Sequence, residues 1–441
     1  MGQNGVLGGR LTHRAILTMA LPVMISNVST PLIGVVDTGV VGQIPDPAYI
    51  GAVAIGSLIF TFVFWAFGFL RMGTTGLTAQ AAGAGDSDEL VAGLYRAFMI
   101  ALLAGAGLIL LQWPIEEIAF ALLGGSAQVE TLAREYFSVR IWAAPATLAN
   151  YALLGWFIGL GRTDIGLVLQ LVLNLSNMAL DALFVVGFGW DVSGVALGTV
   201  LAEVLAVSVG LVIAARHLRG LGARWELDRV LMPRQLRRTI AVNGDIMIRS
   251  VALVFAFSWF TAKGAQQGDV ILAANAVLMH FVSVSAYFLD GLAFAAEVLV
   301  GRAVGAAHRA GLQVAARMTT LWSGGVAVVI SLVLIVAGAL FIDVLTVDAA
   351  AREAARTYLP WAGAAPLLGV WAFQLDGIFI GATRTADMRN AMLISLAVFL
   401  FAWWMLTPFE NHGLWAALYV YYLARIGTLS YYYPRLVRSV V

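Results

Sequence analysis

Residues 155–163 read GWFIGLGRT, and residues 377–385, which lie 222 positions further along the chain, read GIFIGATRT. The two stretches keep two glycines in register, Gly155 with Gly377 and Gly159 with Gly381, together with the Phe-Ile pair and the closing Arg-Thr pair. The same offset aligns Ala133-Arg134 and Tyr136 with Ala355-Arg356 and Tyr358. Self-similarity at a fixed offset of half the chain length indicates an internal repeat, so the sequence predicts two equivalent halves.

The composition places both halves in a membrane. The chain has 441 residues, of which 61% are hydrophobic and only 12% are charged, and its mean hydropathy is +0.88. A soluble core of this length cannot bury so much apolar surface. Lipid is therefore the expected surroundings of most of the chain.

Polar or turn-rich breaks divide the chain into twelve apolar stretches, each long enough to cross a bilayer. Because unpaired backbone groups cannot face lipid, and because the stretches are far longer than barrel strands, all are expected to be helices. They lie near 15–42, 49–80, 90–111, 134–160, 165–188, 191–216, 236–263, 270–304, 312–340, 354–381, 386–406 and 412–434.

The sequence therefore predicts an all-α integral membrane protein with twelve transmembrane helices in two pseudo-symmetric bundles of six. We divide it into an N-lobe (1–215), a basic cytoplasmic linker (216–235) and a C-lobe (236–441). Each half has an even number of spans, so both halves enter the membrane from the same side. An axis along the membrane normal then relates them, with a cavity between them.

Arginine is concentrated in every second break, and the stretch 216–238 alone holds seven. By the positive-inside rule these breaks are cytoplasmic, so both termini lie inside a bacterial inner membrane. One inside break, at Asp86, Asp88 and Glu89, is acidic instead and is relieved only by flanking Arg71 and Arg96.

Most chemistries are excluded by motifs that the sequence lacks. It has no cysteine, no His-Glu-x-x-His, no Gly-x-Ser-x-Gly and no phosphate-binding Gly-x4-Gly-Lys loop, its only lysine being Lys263. We expect a protein that is not an enzyme and needs no cofactor, with transport driven by an ion gradient. Its expected partners are a small organic molecule and membrane lipid, without nucleic acid, and we expect a monomer.

Ionisable side chains at membrane depth point to function, because burying them is costly. Asp37 and Asp181 both lie roughly 8–10 Å below the outer surface, counted at 1.5 Å per residue from the ends of their spans. Thr199 reaches the same depth. In the fifth span Asn174 and Asn177 share a helical face with Asp181.

Two carboxylates, an amide and a hydroxyl that converge at one depth can bind a sodium ion through hard oxygen ligands or share a proton. They can also form a hydrogen-bond network that only holds helices together. Glu203 adds another acid to the first half. No metal site is predicted beyond a sodium ion at Asp37, Asn177, Asp181 and Thr199.

The second half carries a different set of charges. Asp245 and Arg249 are one turn apart on the seventh span, and Asp290 and Glu297 are two turns apart on the eighth. Arg249 can neutralise one of these acids, which leaves either a cluster with a spare proton or a static ion pair between two helices. Asp376, near the inner end of the tenth span, is expected to contact a loop arginine, Arg384.

Several motifs together resemble the MATE (multidrug and toxic compound extrusion) family, and particularly its DinF-like branch. They are ALPVMISNVSTPLIGVVDTGVVG (20–42), NLSNMALDALFV (174–185), YFLDGLAFAAEVLVG (287–301) and the paired GLGRT and GATRT loops. The resemblance implies the MATE/MOP-type fold. It also implies a secondary antiporter that exports organic, amphipathic or cationic compounds in exchange for protons or sodium, by alternating access between two lobes.

The resemblance also carries site residues. The N-lobe cation site of this branch falls on Asp37, Asn177, Asp181 and Thr199, and its bend in the first helix falls on Pro22. The sodium-coupled branch instead uses a glutamate in the seventh span, where this chain has Asp245 and Arg249. Asp376 falls near the acidic position of that branch in the tenth span.

Two other transport functions belong to the same superfamily. A lipid-linked saccharide flippase would carry more cations in its central cavity, and intramembrane arginine is sparse in this sequence. An organic-anion (carboxylate) exporter would need Arg140 or Arg249 to face the cavity.

Overall fold

Residues 11–44, 46–222 and 226–440 are described by a computed structural model, and within them the chain is helical with no strand. Residues 223–225 of the predicted linker lie outside this part of the chain. The all-α prediction is confirmed.

Ten helices make up the first half of the chain. They are α1 (His13–Val41), α2 (Pro47–Ala66), α3 (Phe69–Ala84), α4 (Ser87–Leu110), α5 (Gln112–Leu123), α6 (Ala127–Arg140), α7 (Ala144–Gly159), α8 (Thr163–Asp181), α9 (Val192–Leu221) and the short α10 (Leu227–Val230). Six more follow: α11 (Pro233–Ala265), α12 (Asp269–Gly305), α13 (Arg309–Leu345), α14 (Ala349–Gly381), α15 (Thr385–Leu406) and α16 (Glu410–Arg438).

Two of the predicted spans are interrupted. The span 49–80 consists of α2 and α3, which are separated by Phe67 and Gly68. Glycine has a low helix propensity, which favours a break at this position. The span 134–160 consists of α6 and α7 with a 3-10 turn at Ile141–Ala143 between them. Pro145 lies directly after that turn, in the first turn of α7. Because proline has no N–H, it cannot continue the hydrogen bonds of α6, and the helix is interrupted before it.

The helix count agrees with a twelve-span protein. Ten helical stretches of the described chain are long and apolar enough to cross a membrane, and one of them, Thr385–Arg438, has 54 residues. It contains both α15 and α16, which a 3-10 turn at Thr407–Phe409 separates. Counting these two separately gives eleven. The 29-residue α1, which is not among the ten, would be the twelfth. Helices α5 and α10 lie in predicted breaks.

The chain forms two compact units. The first unit contains Ile25–Ala82 and Asp86–Ile240. The second unit contains α1 up to Met24, the short segment Gly83–Gly85 and the chain from Ala241 onward. The N-terminal part of α1 packs on α12 at Gly291, where a Cβ would lie 2.5 Å from Met24 Cγ. The lobe boundaries at 215 and 236 stay a prediction.

The repeat is visible as the same helix contact in each unit. A Cβ on Gly155 of α7 would lie 2.4 Å from the carbonyl oxygen of Arg71, and one on Gly377 of α14 would lie 2.5 Å from that of Ala293. The next repeated glycine of each helix makes the same kind of approach one turn later. Small residues at a crossing allow membrane helices to pack closely. The repeated glycines therefore set the distance from α7 to α3 and from α14 to α12.

The acidic break between α3 and α4 has cationic partners. Arg229 of α10 binds Asp86 at 2.5 Å and Asp88 at 3.3 Å, and Arg96 binds Glu89 at 2.6 Å. The main counter-charge thus comes from the linker. This explains how an acidic loop occurs among arginine-rich ones.

Candidate functional site

Three of the predicted site residues meet where α8 ends against α9. Asp181 is fully buried, and the Asn177 amide donates to its Oδ2 at 2.9 Å and to the hydroxyl oxygen of Thr199 at 3.2 Å. The Thr199 hydroxyl donates in turn to the backbone carbonyl of Val195 at 3.0 Å. Asn177 therefore holds the carboxyl group of α8 and the hydroxyl group of α9 together.

Asp37 of α1 completes this group. Its side chain is within hydrogen-bonding contact of the Asp181 carboxyl. Two carboxylates in contact at a buried site repel each other unless a proton or a cation lies between them. The structure thus brings all four predicted residues together.

Gly198 shapes the site, although the sequence analysis did not identify it. A Cβ on this residue would lie only 2.1 Å from Asp181 Oδ1. A side chain here would push the carboxyl group away from its position beside Asp37. The sequence signal was a glycine directly before Thr199 in a helix, where glycine costs stability unless close packing requires it.

Three oxygen atoms of the site are buried without a hydrogen-bond donor among the described residues: Asp37 Oδ1, Asp181 Oδ1 and Asn177 Oδ1. Leaving buried acceptors unsatisfied is costly. A proton on one acid, or a hard cation held by oxygen ligands, fits this set of atoms. In the described part of the chain, no three His, Cys, Asp or Glu side chains are grouped as in a metal site.

Glu203 of α9 lies in a separate set of contacts beside this group. It accepts a hydrogen bond from the Asn150 amide at 2.6 Å, and its carboxylate lies 4.0 Å from the guanidinium group of Arg140. The same guanidinium group lies 5.4 Å and 5.6 Å from the ring centroids of Phe60 and Phe64. Arg140 therefore has both a counter-ion and aromatic neighbours.

Arg140 also interacts electrostatically with Asp37 and Asp181. In this cluster of described residues, one arginine thus faces three acids, with Glu203 as its nearest partner. If all three acids were ionised, the cluster would hold two uncompensated negative charges in a low-dielectric environment, which is costly. The charge balance favours uptake of at least one cation.

Asn174 ties α8 to α1. Its amide donates to the hydroxyl oxygen of Ser29 at 2.9 Å, and it accepts from the Gln170 amide at 2.8 Å. The hydroxyl of Ser29 donates to the carbonyl of Ser26 at 2.7 Å. These bonds hold α1 against the polar face of α8 one turn away from Asn177. Pro22, the predicted bend position, lies further back within α1, which continues through it as one helix.

In the predicted charge cluster of the second half, Arg249 and Asp245 bind different partners. Arg249 binds Asp376 of α14, and Arg425 of α16 binds the same carboxylate at 2.6 Å. Asp376 does not contact Arg384, so that prediction is wrong. Arg384 instead binds Asp387 one turn along α15, because it lies at the exposed start of that helix.

The other acids of this half have separate positions. Asp245 binds Arg389 at 2.5 Å and accepts from the Thr385 hydroxyl at 3.0 Å. Asp290 is partly buried and Glu297 is almost fully buried, both on α12. The sequence missed these pairings because both Asp376 and Arg425 lie more than one hundred residues from Arg249.

Tryptophans replace the paired carboxyls in the second half. Positions 259 and 403, which lie 222 residues after Asp37 and Asp181, hold Trp259 and Trp403. Their ring centroids are 5.2 Å apart at an interplanar angle of 85°, and the ammonium group of Lys263 lies 4.8 Å and 4.7 Å from the two rings. The same contact exists in both halves, but only the first half builds it from acids.

Comparisons with known proteins agree with this architecture. The model of the MatE family matches residues 22–183 and 246–405, one segment in each half of the chain. The chain is 40% identical over 414 residues to DNA damage-inducible protein F of Escherichia coli (strain K12), covering 94% of this chain and 90% of the relative. It is 25% identical over 321 residues to multidrug resistance protein NorM of Photobacterium profundum, covering 69% and 68% of the two chains.

A solved structure shares the fold. The bent form of the Vibrio cholerae MATE transporter VcmN superposes with a TM-score of 0.88 over 97% of each chain, at 17% sequence identity. The similarity of fold therefore extends over both halves.

Proposed function

Because the chain belongs to the MatE family of multi-pass membrane transporters, which are not enzymes, we propose that it is a secondary active antiporter for organic compounds. It exports amphipathic or cationic molecules by alternating access, and the export is driven by inward movement of a coupling ion.

The contact between Asp37 and Asp181 is the observation that carries this proposal. A buried pair of carboxyl groups changes its charge when it gains or loses one cation, and that change alters the repulsion between α1 and α8. A site with two charge states that bias the packing of two helices is what ion coupling needs. A network that only holds helices together needs no second acid.

We propose the proton as the coupling ion. Two carboxyl groups in direct contact can share one proton without further ligands, whereas sodium needs several oxygen ligands at once. The Asn177 amide nitrogen donates to Asp181 and to Thr199, whereas Asn177 Oδ1 has no donor among the described residues and would be free to bind sodium. Sodium coupling through the same four residues is the alternative that experiment must distinguish.

The charges of the molecule favour neutral or cationic substrates over organic anions. Arg140 lies beside Glu203, and Arg249 binds the Asp376 carboxylate, which it shares with Arg425. Both arginines considered for anion binding therefore have a carboxylate partner. One relative is named a multidrug resistance protein, which supports a broad range of organic substrates.

The expected location is a bacterial inner membrane with both termini in the cytoplasm. Alternation of arginine-rich and arginine-poor breaks supports this orientation. The main exception, at Asp86 and Asp88, carries its own counter-charge from Arg229. We propose a monomer as the transporting unit.

The test is export by everted membrane vesicles that contain Asp37→Asn or Asp181→Asn. Each substitution keeps the shape of the side chain and removes its titratable charge. We expect export of a fluorescent cationic dye to fall to background, with normal insertion and folding. Asp269→Asn, an exposed acid at the start of α12, is the matched control and should export normally. Wild-type export by Asp37→Asn would remove the proposed function.

A further inference from the structure

An apolar groove of about 650 Å³ lies along α13 in the second unit, between α12 and the first turn of α1. Its lining includes Phe288, Leu321, Trp322, Val326, Val329 and Ile330. Pockets of this size bind small molecules or parts of larger ones. The candidate coupling site lies in the other unit, so the groove is a separate feature.

The lining of the groove contains one histidine. His13, the first residue of α1, is its one ionisable lining residue, and the indole N–H of Trp322 donates to His13 Nδ1 at 3.0 Å. Since an indole nitrogen can only donate, His13 Nδ1 is an acceptor and the other ring nitrogen carries the proton. Because His13 is exposed, this second nitrogen is available as a donor beside the apolar lining.

Two arginines are neighbours of lining residues in the chain. Arg14 follows His13 in the chain, and Arg317 lies one turn before Leu321 on α13. Both are exposed, and neither forms an ion pair with any residue of the described chain. The nearest acid along α12, Asp290, is not part of the lining. Two exposed cations next to the lining in sequence thus have no ion-pair partner among the described residues.

The depth of these cations matches a lipid headgroup. Helix α13 has 37 residues, which corresponds to roughly 56 Å at 1.5 Å per residue, while the hydrocarbon core of a bilayer is about 30 Å thick. If the helix overhangs the core equally at its two ends, about 13 Å at each end, roughly its first nine residues extend beyond the hydrocarbon. Arg317 lies at the level where these residues end, and the apolar lining begins at Leu321 one turn deeper.

We infer that this groove binds an anionic phospholipid. One acyl chain lies on the apolar wall formed by α12 and α13, and the phosphate accepts hydrogen bonds from Arg14, Arg317 and His13. A basic site at the headgroup level beside an apolar groove has the two features that such a lipid requires. The inference does not depend on the proposed transport function.

Two adjacent glycines of α13 allow a direct test. Gly325 lines the groove, and no atom lies within 4 Å of a Cβ built on it. Gly324 has equally open space but does not line the groove. Gly325→Leu should fill the groove without disturbing the helix, and Gly324→Leu is the matched control.

The experiment is native mass spectrometry of the delipidated full-length protein after titration with phosphatidylglycerol or phosphatidylcholine. We expect wild type to bind phosphatidylglycerol preferentially. Arg14→Gln and Arg317→Gln should each weaken its binding about five-fold, the effect of one arginine near an anionic headgroup. Gly325→Leu should abolish binding, whereas Gly324→Leu should bind like wild type, and unchanged unfolding temperatures will show that all variants fold.

Three results would overturn the inference. They are equal binding of the two lipids, unchanged phosphatidylglycerol binding by Gly325→Leu, and competition by glycerol 3-phosphate at the concentrations at which the lipid competes. The last would identify a soluble phosphate compound as the ligand. Because binding is measured without transport, failure of this inference leaves the antiport proposal untouched.

Discussion

At the level of single residues, the Asp181 carboxyl group is positioned by one amide and by one missing side chain. Asn177 donates to it, and Gly198 leaves the space that its Oδ1 occupies. The position of Asp181 beside Asp37 depends on both. A small change at either residue should therefore affect ion coupling before it affects the fold.

Gly198→Ala tests this dependence. The added Cβ would overlap Asp181 Oδ1, at 2.1 Å in the present geometry, so the carboxyl group must move away from Asp37. We expect export to be lost, together with about 1–3 kcal/mol of stability from overpacking. Efflux in vesicles and unfolding temperature measure the two effects. Gly107 is a helical glycine with no atom within 4 Å of a new Cβ, so Gly107→Ala should leave export unchanged and stability unchanged or slightly higher. Wild-type export by Gly198→Ala would contradict this account of the site.

Asp376 is expected to have a structural role. Its carboxylate binds two buried arginines, Arg249 and Arg425, and removing one partner of a buried ion pair typically costs about 3–5 kcal/mol. Asp376→Asn should therefore lower the unfolding temperature strongly, whereas Asp37→Asn should not. Any Asp376→Asn protein that folds should keep its proton dependence of export. Loss of proton dependence in a well-folded Asp376→Asn protein would assign Asp376 to coupling instead.

The sequence predicted the first-half residues well because their positions depend on distances along single helices. Counting residues from the ends of the spans placed Asp37, Asp181 and Thr199 at one depth, and a spacing of four placed Asn177 beside Asp181. In the second half, the arginine that each acid contacts depends on which way distant helices face. The depth of a residue in the membrane does not determine this. For that reason Asp376 was assigned the wrong arginine.

At the level of helices, the repeated glycines determine how closely neighbours approach. Gly155 and Gly377 each face a backbone carbonyl of the adjacent helix, and a carbonyl cannot move aside as a flexible side chain can. The two halves therefore preserve a packing distance as well as a sequence motif.

Gly155→Ala and Gly377→Ala should each destabilise the protein, by roughly 1–3 kcal/mol, because the new methyl group forces two helices apart. In contrast, Gly107→Ala adds a methyl group in open space and should raise stability by up to about 1 kcal/mol through helix propensity. Unfolding temperatures in detergent measure all three. Equal behaviour of the three variants would show that the close approaches do not limit helix packing.

Hydropathy located the membrane helices but not their interruptions. The breaks at Phe67 and at Ile141–Ala143 lie within continuous apolar stretches. The mean hydropathy of a whole span therefore does not reveal them. Local signals were present, in Gly68 and in Pro145. They were ambiguous because membrane helices also tolerate glycine and proline.

At the level of the whole molecule, the halves share their loops and glycine contacts but differ in what occupies one equivalent contact. The first half has Asp37 against Asp181, and the second has Trp259 against Trp403. A tryptophan pair has no protonation equilibrium near neutral pH. This asymmetry supports coupling by the first half alone.

The two-unit organisation followed from the repeat, but the division of α1 did not. The boundary between the units falls between Met24 and Ile25, in the middle of an apolar helix with no polar break. The start of α1 packs closely on α12 because Gly291 has no side chain at the contact. Such a contact depends on three-dimensional packing and leaves no periodic signal in the sequence.

The central claim is that the Asp37 and Asp181 pair couples proton entry to export, and substrate flux in proteoliposomes tests it most directly. Proton and sodium gradients are imposed separately on the wild type and on Asp37→Asn, with Asp269→Asn as the control. We predict that the proton gradient drives substrate flux in wild type and in the control, and that the sodium gradient alone drives none. In Asp37→Asn the proton gradient should drive no substrate flux. Proton-driven flux by Asp37→Asn at the wild-type rate would contradict the claim.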